Sequence, residues 1–157
     1  MLDTNVCLDL FVFDDPRCVG LLKALREGRG EAVTRDDCRE EWLAVLEYPR
    51  LALALERRAR AAAAFDACVR CLPSMPVDKR LPRCADPDDQ KFLELAAAAG
   101  ATMLLTRDAA LLKLARRTLR DGLFAIATPD SWASSSPCLP QRDFLRSQGE
   151  AGRGERF

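Results

Sequence analysis

Apolar positions along this chain come in short blocks that switch between strand-like runs and helical spacing. Residues 1–5 start with an apolar pair and end in Asp-Thr-Asn, a brief first strand whose two residues before Asp3 span about 7 Å. Asp14-Asp15-Pro16 offers an N-cap with proline in the first turn, and Val19, Leu22 and Leu25 then share one side of a helix reaching Gly28. Residues 31–34 read as a second strand. Residues 36–47 read as a helix with Cys38, Trp42, Val45 and Leu46 on one face, stopped by Pro49. Residues 51–72, rich in Ala, Arg and Leu, predict one long helix, and Pro73, Pro76, Pro82 and Pro87 mark the loop after it. Asp86-Pro87-Asp88-Asp89 begins a helix that Gly100 ends; a buried strand over 102–105, a helix over 109–119 and a last strand over 123–127 follow.

Strands alternating with helices predict an α/β fold of three layers, α/β/α, with a central, mostly parallel sheet covered on both faces. That domain occupies residues 1–132. Residues 133–157 turn to Ser, Pro, Gly and Arg and predict a flexible tail.

Composition narrows the chemistry. The chain has 157 residues, 48% of them hydrophobic, enough for one core without staples. Lys and Arg total 24 and Asp and Glu total 24, so no global basic field draws nucleic acid, and such a partner must be held locally. Histidine is absent, which excludes Ser/His/Asp and Cys/His nucleophile systems and leaves carboxylates to do any acid-base work. The longest apolar stretch, residues 6–13, is broken by Asp9 and too short for a membrane span, so a cytoplasmic protein without a membrane partner is expected. The seven cysteines then read as reduced core thiols. Cys68 and Cys71 form a CxxC pair near the end of a predicted helix, not at a helix N-terminus where the dipole favours a thiolate, and they too read as structural.

In a parallel α/β sheet, residues that follow the carboxyl ends of strands converge on one edge. Asp3 ends the first strand, and Asp108 follows the strand over 102–105 through Thr106 and Arg107. Helical angles separate Glu40 from Glu41. With Cys38 at zero the apolar face centres near about 20°, Glu41 falls at about 300° on its border and Glu40 at about 200° opposite it. On the later helix, with Phe92 at zero, Asp89 lies at about 60° and Asp88 at about 320°, which leaves both open, and Asp86 reads as the N-cap. Four carboxylates on one edge repel by about 1 kcal/mol per pair at 4 Å in water and about 4 at an effective dielectric of 20. Divalent cations relieve that repulsion, and an oxygen-only donor set suits Mg²⁺ or Mn²⁺, which position water and stabilise a departing oxygen.

The segments LDTNV, EEWLAVLEYPRL, DPDDQKFLELAAAAGA and LLTRD resemble, in that order, the four acidic signatures of PIN-domain ribonucleases of the kind found as the toxin half of bacterial toxin–antitoxin pairs. The resemblance matches Asp3, Glu41, Asp89 and Asp108 to the four catalytic, metal-holding acids. Asp89 is chosen over Asp88 because an apolar residue three later, Phe92, and Ala96 seven later follow the family pattern. Asn5 and Thr106 match positions that orient acids and water, and Asp86 an outer ligand. The resemblance implies a Mg²⁺- or Mn²⁺-dependent endoribonuclease leaving 5′-phosphate and 3′-hydroxyl ends, a homodimer, RNA as substrate and a small antitoxin protein as partner. Arg107 is the arginine best placed to meet RNA, with Arg57-Arg58-Arg60 and Arg116-Arg117-Arg120 behind it. The alternative is a PIN-fold RNA- or protein-binding module with weak or no catalysis.

Overall fold

The structure, a computed structural model, describes residues 1–134; from residue 135 on, the predicted tail lies outside the described residues. Eight helices and four strands follow in the order α1 (Thr4–Phe11), α2 (Val19–Arg26), β1 (Ala32–Arg35), α3 (Asp36–Leu46), α4 (Leu55–Cys68), β2 (Val69–Leu72), α5 (Gln90–Ala98), β3 (Met103–Leu105), α6 (Ala109–Leu112), α7 (Ala115–Arg120), β4 (Ala125–Ala127) and α8 (Pro129–Ser134), among the described residues. Every ladder is parallel, as expected. β1 pairs with β2 from Ala32 opposite Val69 to Arg35 opposite Leu72, and β3 pairs with β4 from Met103 opposite Ala125 to Leu105 opposite Ala127.

The predicted first strand contracts to one bridge, Leu2 opposite Leu105. Three backbone bonds of 3.0 Å hold it: Met1 N to Met103 O, Leu105 N to Met1 O and Asp3 N to Leu105 O. Alternation then sends neighbours to opposite faces. Leu2 and Leu105 pack with Val6, Leu10, Trp42 and Phe65, whereas Met1 and Leu104 pack with Phe92, Leu93, Leu111 and Ile126. The first bridge and β3 are therefore covered on both faces, while β1 and β2 form a separate two-stranded sheet. On the first face Trp42 stacks on Phe65 at 5.4 Å, and Phe11 meets both rings edge-on.

Four local expectations are corrected. Residues 6–13, nearly all apolar, give no periodic signal, yet Thr4–Phe11 is helical and buries Val6, Cys7 and Leu10. Val19 is exposed, because a 3₁₀ turn at Pro16–Cys18 delivers Cys18 to the core and rotates the α2 face to Leu21 and Ala24. The long helix predicted over 51–72 stops at Cys68, and Val69 turns extended (φ −123°, ψ 119°) to zip onto β1; tertiary pairing overrides helix propensity there. The helix predicted over 109–119 divides at Lys113 and Leu114, where the Leu114 N–H bonds three residues back to Leu111 O. Gly100 does end α5 as expected, at φ +59°, with Ala101 N bonded to Ala96 O.

Candidate active site

The strand-end residues of the first bridge and of β3 meet in a hydrogen-bonded ring. Asp3, only 4% exposed, accepts at Oδ2 from Thr106 Oγ1 (2.5 Å) and from Asn5 Nδ2 (2.6 Å). Asn5 Oδ1 in turn accepts from Arg107 N at 3.1 Å, and Thr106 Oγ1 accepts from Asp108 N at 2.8 Å. Asn5 reaches this ring because α1 starts at Thr4, directly after the extended Asp3. Burial pushes the Asp3 carboxyl up, the donors Thr106, Thr4 N–H and Asn5 pull it back, and Glu41 adds a further push upward.

Glu41 and Glu40 part as the helical angles predict: Glu40 is exposed and Glu41 half-buried. Glu41 Oε1 accepts from Thr4 Oγ1 at 2.6 Å, and Glu41 Oε2 forms an ion pair with Lys91 Nζ. Asp89 occupies the N-cap position of α5 and makes no capping bond. The expected cap, Asp86, instead accepts from Asp88 N at 2.9 Å, closing the turn before the helix. Asp89 titrates at about 6, raised by desolvation first and then by Asp3, Asp108, Asp86 and Glu41. The charge on Asp89 thus feels all the other acids at this edge. Asp108 caps α6, its Oδ1 accepting from Ala110 N (2.7 Å) and Leu111 N (3.0 Å).

Arg107 sits beside the ring, but its guanidinium is held by acids on α1 and α8. Its Nε donates to Asp9 Oδ2 at 2.5 Å and its Nη1 to Asp130 Oδ2 at 2.8 Å, and Asp9 leads the causes that raise its pKa. Arg107, the arginine expected to meet RNA, thus ties α1 to α8 in this arrangement. Arg57 and Arg58 likewise donate to the backbone carbonyls of Val12 and Leu53, and Arg117 and Arg120 pair with Asp121.

Residues 1–110 match the sequence model of the PIN domain. The chain belongs to the PIN-domain family. The match contains Asp3, Glu41, Asp89 and Asp108, and the α/β fold with parallel strands agrees with it. No curated protein and no solved structure gives a significant match to the chain. PIN domains are generally nucleases, and their nuclease members typically use divalent metals. The donor chemistry of this PIN domain fits a hard divalent cation: all-oxygen acids, crowded enough to push Asp89 up to about 6. Their spacing is looser, and among the described residues no three acidic or thiol groups converge tightly enough to ligate one ion as they stand. Thr4 and Lys91 each engage one oxygen of Glu41.

Sequence reasoning missed Thr4 and Lys91. Thr4 lies between Asp3 and Asn5, and Lys91 is the one cation in the stretch from Asp86 to Glu94; a basic residue two positions beyond a matched acid was the available signal. Among the cysteines, Cys7, Cys18, Cys38 and Cys84 are buried free thiols. Cys71 is exposed and donates to Asp36 Oδ1 at 3.2 Å, and burial leads the causes that raise its pKa. Among the described residues no helix is long and apolar enough to cross a membrane.

Proposed function

We propose that this PIN domain is a Mg²⁺- or Mn²⁺-dependent endoribonuclease, acting as the cytoplasmic toxin of a toxin–antitoxin pair, as a homodimer bound by a small antitoxin protein. The observation that carries the nuclease reading is the gathering of acids at one strand edge: Asp89 is raised to about 6 by desolvation first and then by the charges of Asp3, Asp108, Asp86 and Glu41. A fold keeps such crowding for function rather than for stability.

In this reading Asp3, Glu41, Asp89 and Asp108 hold the cation. A bound Mg²⁺ or Mn²⁺ supplies charge to the phosphodiester and lowers the pKa of an attacking water. The chain supplies placement. Thr106 and Asn5 fix Asp3 Oδ2, so the most buried acid presents one orientation, and the Asp108 N–H to Thr106 bond ties the α6 cap to that same ring. Asp86, one turn ahead of Asp89, serves as an outer acid. RNA is held locally, consistent with a chain whose formal charge is zero.

The test is cleavage of a pool of structured and single-stranded RNA in Mn²⁺, Mg²⁺ or EDTA, by the wild type beside Asp108→Asn. Asparagine is as good an N-cap as aspartate, so the variant keeps α6 while losing a charge. Metal-dependent products that vanish in Asp108→Asn support the enzyme. A second reading, a binding module with weak or no cleavage, is favoured by the loose spacing of the acids; a folded wild type that binds RNA without cutting it supports that reading instead. Growth arrest on expression, relieved by Asp108→Asn, tests the toxin role.

A further inference from the structure

Among the described residues, Glu41 is the one of the four matched acids that forms an ion pair with a side-chain cation. Its Oε2 faces Lys91 Nζ in an ion pair, and its Oε1 takes the Thr4 hydroxyl at 2.6 Å. The pair is not a surface accident, since the Lys91 and Glu41 side chains are 24% and 30% exposed. Lys91 sits on α5 two residues past Asp89, with Nζ 5.7 Å from the centre of the Phe92 ring, itself in the core. The ammonium therefore reaches across from the helix carrying one acid to the helix carrying another. A divalent cation brought to Oε2 therefore meets the positive charge of Lys91 at close range and competes with it for the same carboxylate.

We infer that Lys91 is a built-in counter-ion that holds Glu41 while the acidic edge lacks a divalent cation and that competes with the incoming cation for that carboxylate. This rests on the metal-dependent reading above and adds how the site is regulated. Two consequences separate it from an ordinary ion pair. Lys91 steadies the metal-free protein, because it neutralises one acid of a crowded set. It also weakens the affinity of the site, because the incoming ion competes with an ammonium already in place. A pair that only ties α3 to α5 would contribute equally with and without the ion. Lys91 is in this sense a positioning residue, setting where Glu41 points and when it becomes available.

The experiment is thermal unfolding and calorimetric titration with Mn²⁺ on the full chain, comparing wild type, Lys91→Met, Lys91→Arg and Asp89→Asn. Methionine keeps the stem and removes the charge. Lys91→Met should melt lower than wild type in EDTA yet bind Mn²⁺ about fivefold more tightly, the scale of one partly exposed ion pair. Its Mn²⁺-induced rise in Tm should exceed that of the wild type, and Lys91→Arg should return both properties toward wild type. Unchanged or weaker Mn²⁺ binding by Lys91→Met, with wild-type binding intact and abolished by Asp89→Asn, overturns the counter-ion role alone. A folded wild type that binds no Mn²⁺ overturns the metal reading and this inference with it. Should Lys91→Met fail to fold in EDTA, Lys91→Gln and the Lys91→Arg titration decide the question, with arginine expected to bind Mn²⁺ no more tightly than lysine and glutamine more tightly.

Discussion

Asp89→Asn measures what it costs to keep a charge at this partly buried, acid-lined position, because asparagine keeps the shape of the residue at the start of α5 and removes only its charge. Asp89 titrates at about 6 against an ordinary 3.8, a rise of about 2 units, and each unit corresponds to about 1.4 kcal/mol. Full conversion would give about 3 kcal/mol, but Asp89 is only partly buried, and solvent screening reduces the figure to about 1 kcal/mol. The sign follows from the raised pKa. The folded state prefers the protonated acid, so the penalty is absent below about pH 4, grows between 4 and 6 and is fully present above 6. In EDTA at pH 7.5, Asp89→Asn should therefore melt above wild type by about 3 °C, the shift expected of about 1 kcal/mol in a domain of this size. At pH 4.5, where the folded wild type carries Asp89 protonated while the unfolded chain already ionises it, about a third of the difference should remain, about 1 °C. Circular dichroism melts at the two pH values measure it. A variant that melts lower at pH 7.5, or a gap that ignores pH, would refute the charge penalty at Asp89 that burial and the neighbouring acids impose.

Two further outcomes rest on other contacts. Glu40→Gln, changing an exposed side chain on the far side of α3, should leave RNA cleavage within about twofold of wild type, whereas Glu41→Gln should lose at least about 10–100-fold; the reverse order in a cleavage assay would overturn the assignment. Thr106→Val preserves volume but removes the hydroxyl that donates to buried Asp3 and accepts from Asp108 N. Destabilisation of about 1–3 kcal/mol is expected from the orphaned bonds, with cleavage reduced about 10–100-fold, and a chemical-denaturation curve read beside the cleavage rate checks both.

Local chemistry alone determined much of this molecule. The convergence of polar residues that follow strand ends placed Asp3 and Asp108 on one edge, and the 100° step of a helix distinguished half-buried Glu41 from exposed Glu40. Gly100 announced the end of α5 because only a residue free of a Cβ adopts φ +59° without strain. Tertiary structure decided the rest. Residues 6–13 hold an almost continuous apolar run, most of it in α1, whose helical form depends on packing against Trp42 and Phe65, and residues 69–72 leave the helix because β1 offers them a parallel ladder. The partners of the acids were equally hidden. Lys91 and Glu41 are 50 positions apart in sequence, and Arg107 meets Asp9 and Asp130 from α1 and α8. Sequence periodicity reports which face a residue occupies, since that depends on its neighbours along one helix or strand. Which charge it meets depends on how separate elements dock, and that is fixed only by the packed core.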